Sequence, residues 1–162
     1  MKSFLLIFPL FVFLFPQATV PDLNGDEPEP KPVNKKQLLQ LVNQVRQKGC
    51  QCGDTFYPAT TPLQWNAQLE QAALMHSSDM YANNYFSHAA KDGSKAGKRI
   101  DRTGYSWKTY GENIAFGYRN EAEVVKGWIR SPGHCKNIMS KSFKEMGVAR
   151  AGEYWTQVFA TK

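Results

Sequence analysis

Tyr110-Gly111-Glu112-Asn113-Ile114-Ala115 sets an acidic side chain between a glycine and an apolar run. The residues from Asn113 to Phe116 read as a short buried strand, so Glu112 stands at its mouth, partly desolvated. A carboxylate in that position needs a cation or hydrogen-bond donors. Candidate partners follow two helical segments: Phe86-Ser87-His88 closes one, and Ser131-Pro132-Gly133-His134 closes another. Two imidazoles and one carboxylate thereby converge at the ends of three elements. Two His plus one Glu is a workable ligand set for a divalent metal with open positions, Zn or Mg. The competing arrangement is purely structural, with Glu112 bonded to backbone amides and the histidines serving as caps.

Around this stretch the chain has room for one domain. Its 162 residues suffice for a proper core, and an apolar share of 42% with 13% aromatics suits a compact fold. The formal charge of +6 is unevenly spread. Lys91, Lys95, Lys98, Arg99, Arg102 and Lys108 face only Asp92 and Asp101 within one span, which reads as a solvated basic loop. Such a loop favours anionic surfaces, whereas a nucleic-acid partner is not expected without a recognised binding module.

Residues 1 to 20 have the grammar of a secretory signal: Lys2, the apolar run Phe4 to Phe15, then Pro16-Gln17-Ala18-Thr19. The run is too short for a stable membrane span. Residues 21 to 36, with Glu27-Pro28-Glu29-Pro30-Lys31-Pro32, offer nothing to bury and read as an extended linker, leaving 37 to 162 as the folded domain. Export suits the cysteines. Cys50, Cys52 and Cys135 permit one intramolecular bridge, with Cys135 pairing to Cys52 or to Cys50 and one thiol left over.

Within the domain, Asn34 caps a helix from about Lys35 whose buried stripe is Leu38, Leu41, Val42 and Val45. Asn66 caps a second helix, with Leu69, Ala72, Ala73, His76 and Met80 on one side, which points His76 inward as a core residue. The span from Ala89 to Gly104 reads as a long polar loop, and long loops in compact domains tend to be functional. Asn120 caps a third helix with the stripe Val124, Val125, Trp128 and Ile129, stopped by Pro132. Two short strands at Met146 to Arg150 and Tyr154 to Phe159 join through Ala151-Gly152-Glu153. Helices flanking a small antiparallel sheet give an α/β fold, a three-layer α/β/α sandwich.

Several of these pieces, in this order, resemble the CAP superfamily of cysteine-rich secretory, antigen 5 and pathogenesis-related proteins, also called the SCP domain. They are Asn84-Tyr85-Phe86-Ser87-His88, Tyr110 to Ala115, Gly127-Trp128-Ile129-Arg130-Ser131-Pro132-Gly133-His134, Asn137-Ile138 and Tyr154-Trp155-Thr156-Gln157-Val158-Phe159. The resemblance implies a secreted α/β/α sandwich with a central cavity. In the eukaryotic branch that cavity carries two His and two Glu able to hold a divalent metal. His88 matches the first His and Glu112 the first Glu, while Ser131 and Tyr154 stand where the other Glu and His are expected. The Ser-Pro-Gly-His form is similar to the bacterial branch, in which His134 reaches the same cavity.

The resulting expectation is a binding module ahead of an enzyme, in the secreted, periplasmic or envelope space, holding a small apolar or cell-envelope ligand. Tyr85, Phe86, Tyr105, Trp107 and Tyr110 supply aromatic surface, most of it core. Cavity residues are then His88, Glu112, His134, Ser131 and Tyr154. The alternatives are a metal-dependent hydrolase using His88, His134 and Glu112, with Glu112 the candidate catalytic base, and a scaffold acting only through surface contacts.

Overall fold

The computed structural model describes residues 32 to 162; the expected signal and most of the linker lie outside the described residues. Helix α1 spans Lys35–Lys48, with the Asn34 side chain accepting from the Gln37 amide. A hairpin follows, strands β1 (Cys50–Cys52) and β2 (Thr55–Tyr57), and then the two-residue strand β3 (Gln64–Trp65). Helix α2 (Ala67–Ala82) is capped by Asn66, whose side chain accepts from two amides of the first turn. Helix α3 (Ala96–Arg102) precedes strand β4 (Thr109–Phe116). Helices α4 (Glu121–Arg130) and α5 (Pro132–Met139) lead to strands β5 (Glu145–Ala151) and β6 (Tyr154–Thr161).

The main sheet runs β3-β5-β6-β4, antiparallel except for the short parallel pairing of β3 with β5. Its strands alternate side chains between two faces. On β5 and β6, Met146, Val148, Trp155 and Phe159 join a core with Leu38, Val42, Val124, Trp128 and Ile138 from α1, α4 and α5. Ala149, Val158 and Ala160 point the other way, onto Leu69, Ala72 and Ala73 of α2 and Ile100 of α3. This is the three-layer α/β/α sandwich expected from the sequence.

Two local expectations are corrected. The span from Ala89 to Gly104 is not all loop, because α3 lies within it and buries Ala96, Gly97, Arg99 and Ile100. That helix has no side-chain cap, and one buried residue is an arginine, so neither a start signal nor an apolar stripe announces it. Pro132 does end α4, but it also occupies the first turn of α5, where a missing N–H costs nothing. The bridge is Cys52 to Cys135, with Cα atoms 5.4 Å apart, tying the hairpin to α5 across 83 residues of chain. Closing a loop of that length restricts the unfolded chain by an amount worth about 4 kcal/mol.

Helix α2 comes close against the sheet at Gly147 on β5. A Cβ there would overlap the backbone of Leu69 and Glu70 at the start of α2, so the helix lies flush on the sheet only because the side chain is absent. Gly147→Ala is expected to destabilise the domain by about 3 kcal/mol, the upper end of overpacking costs, measured by urea denaturation.

Candidate functional site

Strand β4 is an edge of the main sheet, and its alternation decides what its side chains meet. Ala115 faces the core of α1, α4 and α5, whereas Tyr110 and Ile114 face the opposite layer. Glu112 shares the parity of Tyr110 and Ile114, so its carboxylate enters the layer of α2 and α3, with its side chain only 5% exposed. A buried carboxylate must be compensated there.

The compensation comes chiefly from Arg99 on α3, whose own side chain is equally buried. Its Nη2 donates to Glu112 Oε2 at 2.6 Å. The same guanidinium donates to the His88 carbonyl and to the Ser94 carbonyl, each at 3.1 Å, so it also fastens the loop that leads into α3. Glu112 Oε1 accepts from His88 Nδ1 at 2.8 Å. Beneath it lies His76, fully buried on α2, with Nε2 at 3.9 Å from Glu112 Oε1 and at 2.9 Å from the Ser87 carbonyl. The Ser87 contact assigns the ring proton to Nε2 and leaves Nδ1 buried without a partner.

His134 arrives from the other side of the sheet edge. Asn137 on α5 donates to the Glu112 carbonyl at 3.1 Å and to Asn113 Oδ1 at 2.8 Å. Asn113 in turn donates to the His134 carbonyl and to Gln157 on β6. This amide network pins the first turn of α5 against β4. His88, Glu112 and His134 then line one open cleft of about 630 Å³, together with Phe86, Tyr110, Ile114 and Lys95. Phe86, half exposed, continues outward to an equally exposed Phe116.

Ser131 and Tyr154 are not among the residues lining that cleft. Ser131 is the residue between α4 and α5. Tyr154 is nearly buried in a small cluster with Met80 and Ile114, donates to Asn84, and stacks obliquely on Phe116. Of the five aromatics, Phe86 and Tyr110 reach the cleft. Tyr105 is core and Tyr85 bonds to Asp79, while Trp107 packs edge-on against Tyr110. Arg99 is the functional residue that sequence reasoning missed. It sits in a run of lysines and arginines that reads as solvated, and the one available signal was Ile100 beside it in an otherwise polar span.

Burial alone would raise the Glu112 carboxyl, but the His88 hydrogen bond, the Arg99 charge and His76 outweigh it and hold the group below its ordinary range. Burial lowers His76 despite the nearby Glu112. Burial also lowers His134, and the neighbouring His88 adds to the effect. The donor set does not fit a metal. Arg99 already neutralises the carboxylate and occupies one oxygen, and His88 turns Nδ1 to the other. Among the described residues the side chains gathered closely enough to share an ion are Cys50, Cys52 and Cys135, two of which form the disulfide.

Arg99→Leu, which strands the Glu112 charge, is expected to cost about 3 to 5 kcal/mol by urea denaturation, and Arg99→Leu with Glu112→Leu substantially less. All three depressed groups carry the same sign. The unfolded chain binds protons more readily, so their contribution is complete above about pH 6.5 for the imidazoles and about 4.3 for the carboxyl, and is lost on acidification. Thermal melts from pH 7.5 to 4.5 should show a falling Tm, with a shallower fall between pH 7 and 5 in His76→Gln.

The family model described as CAP, the cysteine-rich secretory protein family, matches residues 39–159. The Bacillus subtilis protein YkwD is 36% identical over 149 residues, covering 90% of this chain and 54% of YkwD. The chain is thus similar to about half of that relative. An extracellular protein containing an SCP domain from Bacillus anthracis has a TM-score of 0.69 and 31% identity, over 78% of this chain and 40% of that one. An outer surface protein from Borrelia burgdorferi shares the fold, with a TM-score of 0.67 at 20% identity, over 78% of this chain and 91% of that one.

Proposed function

The chain belongs to the cysteine-rich secretory protein family, the CAP family, and on that premise we propose that it is an extracellular or envelope binding module whose cleft receives an amphiphilic ligand. The observation that carries this reading is the cleft at the edge strand. Its volume of about 630 Å³ falls within the range of small-molecule sites, and its walls are Phe86, Tyr110, Ile114, Ala89 and Ala96. The polar part of its lining is Ser87, His88, Lys95, Glu112 and His134.

The chemistry of that polar part selects the head group. Glu112 and Arg99 cancel each other's charge, and His134, held below the ordinary imidazole value, is neutral at pH 7. Lys95 remains as the cation lining the cleft. A ligand with an anionic or strongly accepting head and an apolar body fits both halves. The exposed Phe86 and Phe116 extend the apolar track beyond the mouth, a surface that water wets poorly. Placement outside the cell is supported by the apolar run near residue 10, by the disulfide, and by the extracellular and surface character of the similar solved structures. Among the described residues no helix is long and apolar enough to cross a membrane.

One observation favours a hydrolytic second reading. His88 bonded through Nδ1 to a buried carboxylate leaves Nε2 to accept a proton, the arrangement of a general base. That role falls to His88 and not to Glu112, whose depressed pKa and two occupied oxygens make it a poor base.

Alkyl amphiphiles of one chain length bearing carboxylate, phosphate or hydroxyl heads separate these readings. The expected result is binding of the two anionic compounds, with perturbed His88 and His134 resonances by NMR and about tenfold weaker affinity in Lys95→Glu. No binding of any of the three would reject the module, and ester turnover abolished by His88→Ala would favour the second reading.

A further inference from the structure

The residues Cys50, Gln51 and Cys52 form one short strand, and alternation puts the two cysteines on the same side of it. Both therefore face α5. Cys52 is bonded to Cys135, and the free Cys50 thiol lies 3.6 Å from the Cys135 sulfur. Three sulfurs within 4.8 Å of one another form a cluster in which the bridge has two candidate partners on one strand. Cys52 and Cys135 are buried, whereas Cys50 is half-buried. The Cys50 side chain lines a separate groove of about 310 Å³ between α1 and α4, walled by Leu41, Val45, Val125 and Ile129 and bordered by Lys48 and Lys126.

We propose that Cys50 is the exchange partner of the Cys52–Cys135 bridge, so that the cross-link exists as two isomers and the odd thiol passes between an accessible and a buried position. The step is an intramolecular thiol–disulfide exchange. Cys50 loses its proton, and its sulfur attacks the Cys135 sulfur. The bond from Cys52 to Cys135 breaks, and its electron pair leaves on Cys52, which takes up the proton. One disulfide and one thiol stand on each side, so no external oxidant is needed. The attacking sulfur closes from 3.6 Å to the bonded distance of about 2 Å, within the reach of a side-chain rotation and a small strand shift.

Burial raises the Cys50 thiol, so the resting group is protonated and exchange awaits its deprotonation. The exchange is not isolated from the cleft. Cys135 directly follows His134 on α5, so moving the bridge re-anchors the helix turn that carries one of the two cleft imidazoles. The inference is independent of what the cleft binds.

The test is maleimide labelling of the native full-length protein at pH 8, quenched in acid and mapped without reduction by fragment-ion sequencing that separates position 50 from 52. Label at both positions is expected, with the Cys52 share growing over time at a rate independent of protein concentration, accompanied by a bridge from Cys50 to Cys135. Label confined to Cys50, with the original bridge alone at every time, would overturn the proposal. In Cys52→Ser the expected result is a folded protein without free thiol, since Cys50 takes over the bridge. A folded Cys52→Ser with both remaining thiols free would equally overturn it. Should that variant fail to fold, the labelling of the unaltered protein decides alone, and Cys50→Ser supplies the unlabelled control with the bridge retained.

Discussion

A single buried charge organises this domain. Glu112 reaches the interior layer through the parity of an edge strand, and a carboxylate withdrawn from water is tolerated only when a cation and donors meet it. Arg99 meets it from α3 and His88 from the loop before that helix, while His76 underlies the pair from α2. Each partner is delivered by a different element. The conformation of the stretch from Phe86 to Arg102 is thereby a consequence of neutralising one acid, since Arg99 also holds the carbonyls of His88 and Ser94.

The same neutralisation limits what Glu112 offers the cleft. A free carboxylate beside two imidazoles would attract a divalent ion or act as a base. Paired with a guanidinium, it becomes a rigid polar floor that orients His88 and leaves its other nitrogen outward. In the proposed binding module the apolar walls and Lys95 would carry the discrimination. The observation that bears on these outcomes is the pairing of Glu112 with Arg99, which family membership alone does not supply.

Much of the architecture was legible beforehand because it obeys local rules. Asn34, Asn66 and Asn120 announce three helices through side-chain caps that the structure contains, and the stripes at 38, 42 and 45, at 69, 72 and 73, and at 124, 125 and 128 mark their inner faces. The strands at 146 and 154 follow from alternation around a glycine turn. What escaped lacks such signals. Helix α3 has no capping side chain, and its inward face includes an arginine. β3 is two residues long, which is below the length at which alternation means anything. At the site, His88, Glu112 and His134 do line one cleft, but the expected positions at element ends differ from those found: Glu112 lies in the middle of β4, which begins at Thr109, and His134 lies within α5. The partner that matters most, Arg99, was hidden by its charged neighbours, and Tyr154 packs behind the aromatic track and not in the cleft.

The pleat of β4 sends Glu112 and Asn113 into opposite layers, the first to the cleft floor and the second to the amide network that seats α5. Losing or gaining one residue anywhere upstream in that strand would exchange their destinations, driving an acid among the tryptophan and leucine side chains and an amide onto the arginine. Fold and site would fail in the same event, so lineages of this domain can vary the length of the segments flanking the strand far more freely than the strand itself.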